Sequence, residues 1–142
     1  MEMSVDLTTL RTVLQNLEEQ HDNLLQQQPD VPRLDREGIM ESVIQRFEIC
    51  YDMAWKVVRR YLHVELRLPD IPNSPRPVLR LAAENHLLGD GGQRWQDYSS
   101  TLIQTTHMYS QDIVDSAMAL MPTFIRDTAD LIKRMEPSTQ DD

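Results

Sequence analysis

Gln45-Arg46-Phe47-Glu48, followed by Tyr51-Asp52, Ala54-Trp55-Lys56 and Arg59-Arg60-Tyr61-Leu62, is the stretch that decides the fold. Phe47, Tyr51, Ala54, Val58 and Leu62 recur every three or four residues, and the series extends back through Val43 to Met40. That period puts the apolar groups along one side of an α-helix and leaves the charged ones on the other. Asp35 is a suitable N-cap, so the helix is expected to run from there to about Glu65. Phe47, Tyr51 and Trp55 at this spacing read as core. Asp52 and Lys56, four apart, read as a surface pair worth about 0.2–0.5 kcal/mol.

The same periodicity appears on either side. Leu7, Leu10, Leu14, Leu17, His21 and Leu24 predict a first helix over Val5–Gln27, and Pro29 and Pro32 mark the loop that follows. Beyond the central helix, Pro69, Pro72 and Pro75 break the chain. Ser74-Pro75 then announces a short helix reaching about Leu87, because serine caps free N–H groups and proline is tolerated in a first turn. Asp90 and Gln93 resemble a capping box for a fourth helix ending near His107, with Asp90-Gly91-Gly92 as a turn. Ser110 caps a fifth helix striped by Val114, Ala117, Met121, Phe124, Thr128, Leu131 and Met135. The expected fold is all-α: an antiparallel four-helix up-and-down bundle with one short extra helix. It forms a single domain over residues 1–136, followed by a disordered tail at 137–142.

The 142 residues are 40% hydrophobic and 26% charged, which suits one globular domain. No apolar run is long enough to span a bilayer, so no membrane association is expected. The single cysteine, Cys50, excludes an internal disulfide and a multi-thiolate metal site, and a cytoplasmic setting is expected. A net charge of −9 argues against general nucleic-acid binding, which needs clustered cations. Yet residues 31–80 hold nine basic against seven acidic groups, while both flanks are acidic. Lys56, Arg59, Arg60, Arg76 and Arg80 are therefore the candidates for holding a nucleotide phosphate or an acidic partner. Arg76 falls in a first helical turn, where the dipole disfavours a cation, so an anionic partner is expected there. Asp112 and Asp115, like Asp127 and Asp130, read as solvated helix faces rather than a metal site. No serine-, cysteine- or metal-based catalytic set is visible.

The central stretch, followed by Ser74-Pro75-Arg76 and then His107-Met108-Tyr109, resembles the nucleotidyltransferase substrate-binding protein family, part of the HEPN superfamily. The likeness runs from about Arg36 to Met135. It implies a non-catalytic, substrate-binding or regulatory homodimer that works with a separate minimal nucleotidyltransferase chain. Mg²⁺ and a nucleoside triphosphate would belong to that partner, with no cofactor in this chain. The alternative implied by the superfamily is a ribonuclease toxin neutralised by its nucleotidyltransferase antitoxin, with RNA as substrate. Its ribonucleases place an arginine four to six residues before the motif histidine, to offset phosphorane charge while the histidine moves protons. Here His107 and Tyr109 stand in the histidine and tyrosine positions, but Leu102 and Ile103 occupy the arginine and asparagine positions, and Ser100 ends the window. His107 is thus the catalytic candidate only under the ribonuclease reading. The resemblance also makes Tyr109 the candidate for modification by AMP.

Overall fold

A computed structural model describes residues 5–107 and 110–137. The expected tail therefore lies outside the described residues from Ser138 onward, as does Tyr109. Five helices follow in order: α1 (Thr8–Leu25), α2 (Arg33–Val64), α3 (Pro75–Glu84), α4 (Gln93–His107) and α5 (Gln111–Met135). Helices α1, α2, α4 and α5 form the antiparallel bundle. α1 packs on α2 and α5, α4 packs on α5 and α2, and α3 sits across α2 and α4.

The stripes read from sequence are the buried faces. Val43, Phe47, Tyr51, Ala54, Val58 and Leu62 of α2 meet Val114, Ala117, Met121, Phe124, Thr128, Leu131 and Met135 of α5 in one continuous core. Phe124 is its centre. Its ring lies edge-on to Phe47 at 4.8 Å, Tyr98 at 5.0 Å and Trp95 at 5.6 Å. Each such aromatic pair adds about 0.5–1.5 kcal/mol beyond simple burial. Cys50 is buried in the same core, and burial pushes the pKa of its thiol up to about 12.

The helix ends depart from expectation in instructive ways. α2 begins at Arg33 behind Pro32, so Asp35 sits in the first turn and complements the dipole there instead of capping. Ser74 is extended at the start of α3, with Pro75 next, but its side chain makes no cap bond. α3 stops at Glu84, short of Leu87, because His86 adopts φ 64°. The Leu87 N–H reaches Ala82 O (3.0 Å) and the His86 N–H reaches Ala83 O (3.1 Å), which makes a Schellman closure without glycine. Asp90 does serve α4, accepting from the N–H groups of Gly92 (2.9 Å) and Arg94 (2.8 Å). Gln93 does not return the bond and turns to Asp97. Gly92 has φ 90°, and a Cβ there would stand 2.9 Å from that of Ala83, so only glycine lets α3 and the start of α4 approach. Ser110 caps α5 as expected, its Oγ accepting from the Ile113 N–H at 3.3 Å.

Candidate functional site

The corner between α4 and α5 carries the histidine picked out from sequence. His107 is the last residue of α4 and is exposed; Ser110 opens α5. Leu102, one turn and a half earlier, is half-buried against the core. Position 102 therefore points an aliphatic group inward and supplies no cation to His107. Thr105 is buried and donates to Glu48 Oε2 at 2.8 Å, tying α4 to the middle of α2.

Two shallow depressions adjoin this corner and share Glu41. One of about 390 Å³ is lined by Glu41, Ile44, Gln45, Glu48 and Thr105. The other, of about 190 Å³, is lined by Glu37, Met40, Glu41, Ser110, Gln111 and Val114. Three carboxylates thus wall the surface beside the end of α4, and their field opposes a phosphodiester. Among the described residues, no three His, Cys, Asp or Glu side chains come together as a metal-holding group.

The basic candidates are not gathered into one pocket. Lys56 pairs with Asp52 at 2.8 Å on the surface, as the spacing predicts. Arg59 donates from Nε to Pro72 O (2.8 Å) and from Nη2 to Ile71 O (3.4 Å). It holds the proline-bearing loop in which Arg67 and Asp70 take positive φ. Arg60 is exposed on α2. Arg76 donates to Gln96 Oε1 (3.0 Å) and Ser100 Oγ (2.8 Å), so neutral oxygens of α4 satisfy it in place of an anion. Arg80 is exposed one turn further along α3.

The strongest polar cluster is one that the pattern did not single out. Asp127 is not on a solvated face; it is buried and receives Arg94 on both oxygens, at 2.7 and 3.0 Å. The buried Tyr98 Oη donates to the same carboxylate at 2.5 Å. Burial alone would raise the pKa of the Asp127 carboxyl, but the bonds from Arg94 and Tyr98 outweigh it and hold the group below its ordinary value. Tyr98 moves the other way, raised by burial and by its bond to Asp127, so the proton stays on the phenol. Nearby, Ser99 donates to Trp95 O at 3.1 Å, which leaves its oxygen to accept from Tyr51. The available clue was an arginine, Arg94, placed to reach α5 from the first turn of α4. These bonds fix α4 against α5 and α2, and so fix the corner that carries His107.

A family model described as nucleotidyltransferase substrate binding protein like matches residues 5–137, a span that takes in every described residue. The chain belongs to this family. The family's fold is also that of two solved structures. One, from Haemophilus influenzae, is described as revealing the fold of a substrate-binding domain of a nucleotidyltransferase. It superimposes with a TM-score of 0.80 at 22% identity, covering 92% of this chain and 98% of that one. A protein from Thermus thermophilus gives a TM-score of 0.74 at 23% identity, covering 90% and 99%. In sequence, a Haemophilus influenzae protein named as probable ribonuclease HepT is 25% identical over 113 residues, covering 78% of this chain and 77% of that protein. No helix among the described residues is long and apolar enough to cross a membrane.

Proposed function

We propose that this family member is the substrate-binding and regulatory partner of a separate, minimal nucleotidyltransferase, that it acts as a homodimer in the cytoplasm, and that it does not transfer nucleotides itself. The observation that carries this reading is the match of one substrate-binding family across residues 5–137. The partner supplies the Mg²⁺ and nucleoside triphosphate chemistry, and this chain supplies a surface for partner or acceptor. Arg76 and Arg80 are the docking residues. Both sit on α3, which lies across the bundle: Arg80 is exposed without an ion-pair partner among the described residues, and Arg76, held by Gln96 and Ser100, exchanges those neutral oxygens for an acidic group of the partner on docking. Lys56, Arg59 and Arg60 extend the same basic segment along α2.

The likeness to a probable ribonuclease supports a second reading, RNA cleavage with His107 as general acid–base. The geometry of this chain disfavours it. Leu102 packs inward where that chemistry calls for a cation, and Glu37, Glu41 and Glu48 wall the adjoining surface.

The test is calorimetric titration of this chain with a cognate minimal nucleotidyltransferase. We expect a stable complex that is weakened about tenfold or more when Arg76 and Arg80 are both changed to Glu, with the helical circular-dichroism signal retained. No association with that partner, alongside cleavage of unstructured RNA that disappears in His107→Ala, would replace this reading with the ribonuclease one.

A further inference from the structure

A depression of about 440 Å³ lies between the last turns of α2 and the proline-bearing loop that follows. Arg59 and His63, four apart on one face of the helix, form one side, and Leu68, Pro69, Asp70 and Ile71 of the loop form the other. The loop is tied down at both ends. The Leu68 N–H donates to Leu62 O at 3.1 Å, and the carbonyls of Ile71 and Pro72 accept from Arg59 at 3.4 and 2.8 Å. Leu66, Leu68 and Ile71 also pack against the core. Arg67 and Asp70 take φ 55° and 52°, a left-handed conformation that non-glycine residues hold only where their surroundings impose it. The wall is therefore preformed.

The charge in this depression is unbalanced. Arg59 uses the edge formed by Nε and Nη2 to hold the two carbonyls, which leaves the edge formed by Nη1 and Nη2 with its donors unspent. Both partners are neutral, and none of the six ion pairs among the described residues includes Arg59. A half-buried guanidinium is thus fixed in place without a counter-charge, and its free planar edge matches the oxygens of a phosphate. His63, exposed one turn on, adds a ring N–H on the same side. The loop side calls for a different group. Leu68, Pro69 and Ile71 offer apolar surface, and Asp70 offers an acceptor. That carboxylate repels a run of acidic side chains, yet it accepts from a hydroxyl or amino group of a ligand that is anionic at one end only. The volume lies within the range of small-molecule sites, about 300–1,000 Å³.

We propose that this depression binds a small phosphorylated molecule with a planar body, the class of a nucleoside monophosphate. Its phosphate meets the free edge of Arg59 beside His63, its heterocycle lies against Leu68, Pro69 and Ile71, and a hydroxyl or amino group turns to Asp70. The assignment rests on the substrate-binding reading above and names the chemical class of the substrate. The loop continues through Asn73 and Ser74 into α3, so the site adjoins the helix assigned to docking the nucleotidyltransferase.

The test is calorimetric titration of the full chain with AMP, GMP, CMP and UMP in turn, and with adenosine and inorganic phosphate as separate halves of the ligand. At least one monophosphate is expected to bind about tenfold or more tightly than either half. Arg59→Lys keeps the charge but can neither hold both carbonyls nor present a planar edge, and should weaken that binding about tenfold. His63→Ala leaves the ties of the loop intact, so it remains informative if Arg59→Lys disturbs folding; it should weaken binding roughly threefold. The methyl NMR signals of Leu68 and Ile71 should move as the monophosphate is added. No binding of any monophosphate at millimolar concentration, equal binding of phosphate alone, or indifference to both variants would overturn the site. Tighter binding of a glutamate-rich peptide would overturn it in favour of a protein segment. If the chain still forms its complex with the nucleotidyltransferase, the partner reading survives such a result; loss of that complex as well would overturn both.

Discussion

Replacing Asp127 by alanine tests whether the cluster it centres holds α4 in place. The carboxylate accepts the hydrogen bond of the Tyr98 phenol, and Tyr98 is a residue with no exposed surface. Without that acceptor, a buried hydroxyl is stranded, at a cost of about 1–3 kcal/mol. Arg94, whose side chain is 44% exposed, can swing into water, so its share of the loss is small. The expected destabilisation is about 2–3 kcal/mol. Tyr98→Phe should cost about 1 kcal/mol, the net worth of one hydrogen bond. The double variant should cost less than the two losses added, because the stranded hydroxyl is then gone. Urea unfolding followed by fluorescence suits the question, since Trp95 is buried 5.3 Å from the Tyr98 ring. Chain concentration must be held constant, given the proposed dimer. A loss below about 0.5 kcal/mol for Asp127→Ala, or strict additivity in the double variant, would refute the reasoning. The pH dependence provides a second check. Because the folded Asp127 pKa lies below its unfolded value, its contribution is complete above about pH 4 and is lost as pH falls through the depressed folded value. The difference between wild type and Asp127→Ala should therefore shrink in acid and hold constant from about pH 5 to 8.

Phe124→Ala should remove about 3–5 kcal/mol, measured by the same unfolding curves, because it empties the centre of the aromatic core. Gly92→Ala should lower the melting temperature by several degrees, since φ 90° and the 2.9 Å approach to Ala83 both oppose a Cβ. The chain should leave an unstructured RNA intact in a gel-based cleavage assay; efficient cleavage abolished by His107→Ala would contradict this, and Leu102→Arg shows whether a cation alone restores activity. Incubation with a cognate nucleotidyltransferase, ATP and Mg²⁺ should add one AMP to the intact mass, lost in Tyr109→Phe; an unchanged mass with an active transferase would remove Tyr109 as an acceptor.

The bundle was legible because burial and periodicity coincide. Every residue of the α5 stripe from Val114 to Met135 is buried, and the series passes uninterrupted through Pro122, which lies on the exposed side. Helix ends were less legible, because a single φ decides them. His86 takes a left-handed conformation usually marked by glycine or asparagine, and nothing about a histidine announces it. Asp127 was misread for a related reason. It sits next to Thr128, at the edge of the stripe, and only its distant partners Arg94 and Tyr98 turn it inward. Arg59 and Arg76 show the limits of composition: a cation count identifies a basic segment but not which members the fold employs as clasps. The likeness to the family was written in the central stretch and is borne out over residues 5–137.

The enclosure of Cys50 has a practical consequence. With its thiol buried and its ionisation pushed up to about 12, it holds almost no thiolate at neutral pH and stays out of reach of alkylating reagents in the folded state. As the chain has no other cysteine, any new one placed on the surface is the sole accessible nucleophilic sulfur. The native molecule therefore accepts a spin label or fluorophore at one chosen position without removal of its own cysteine, and paired labels on α2 would report the separation between copies directly.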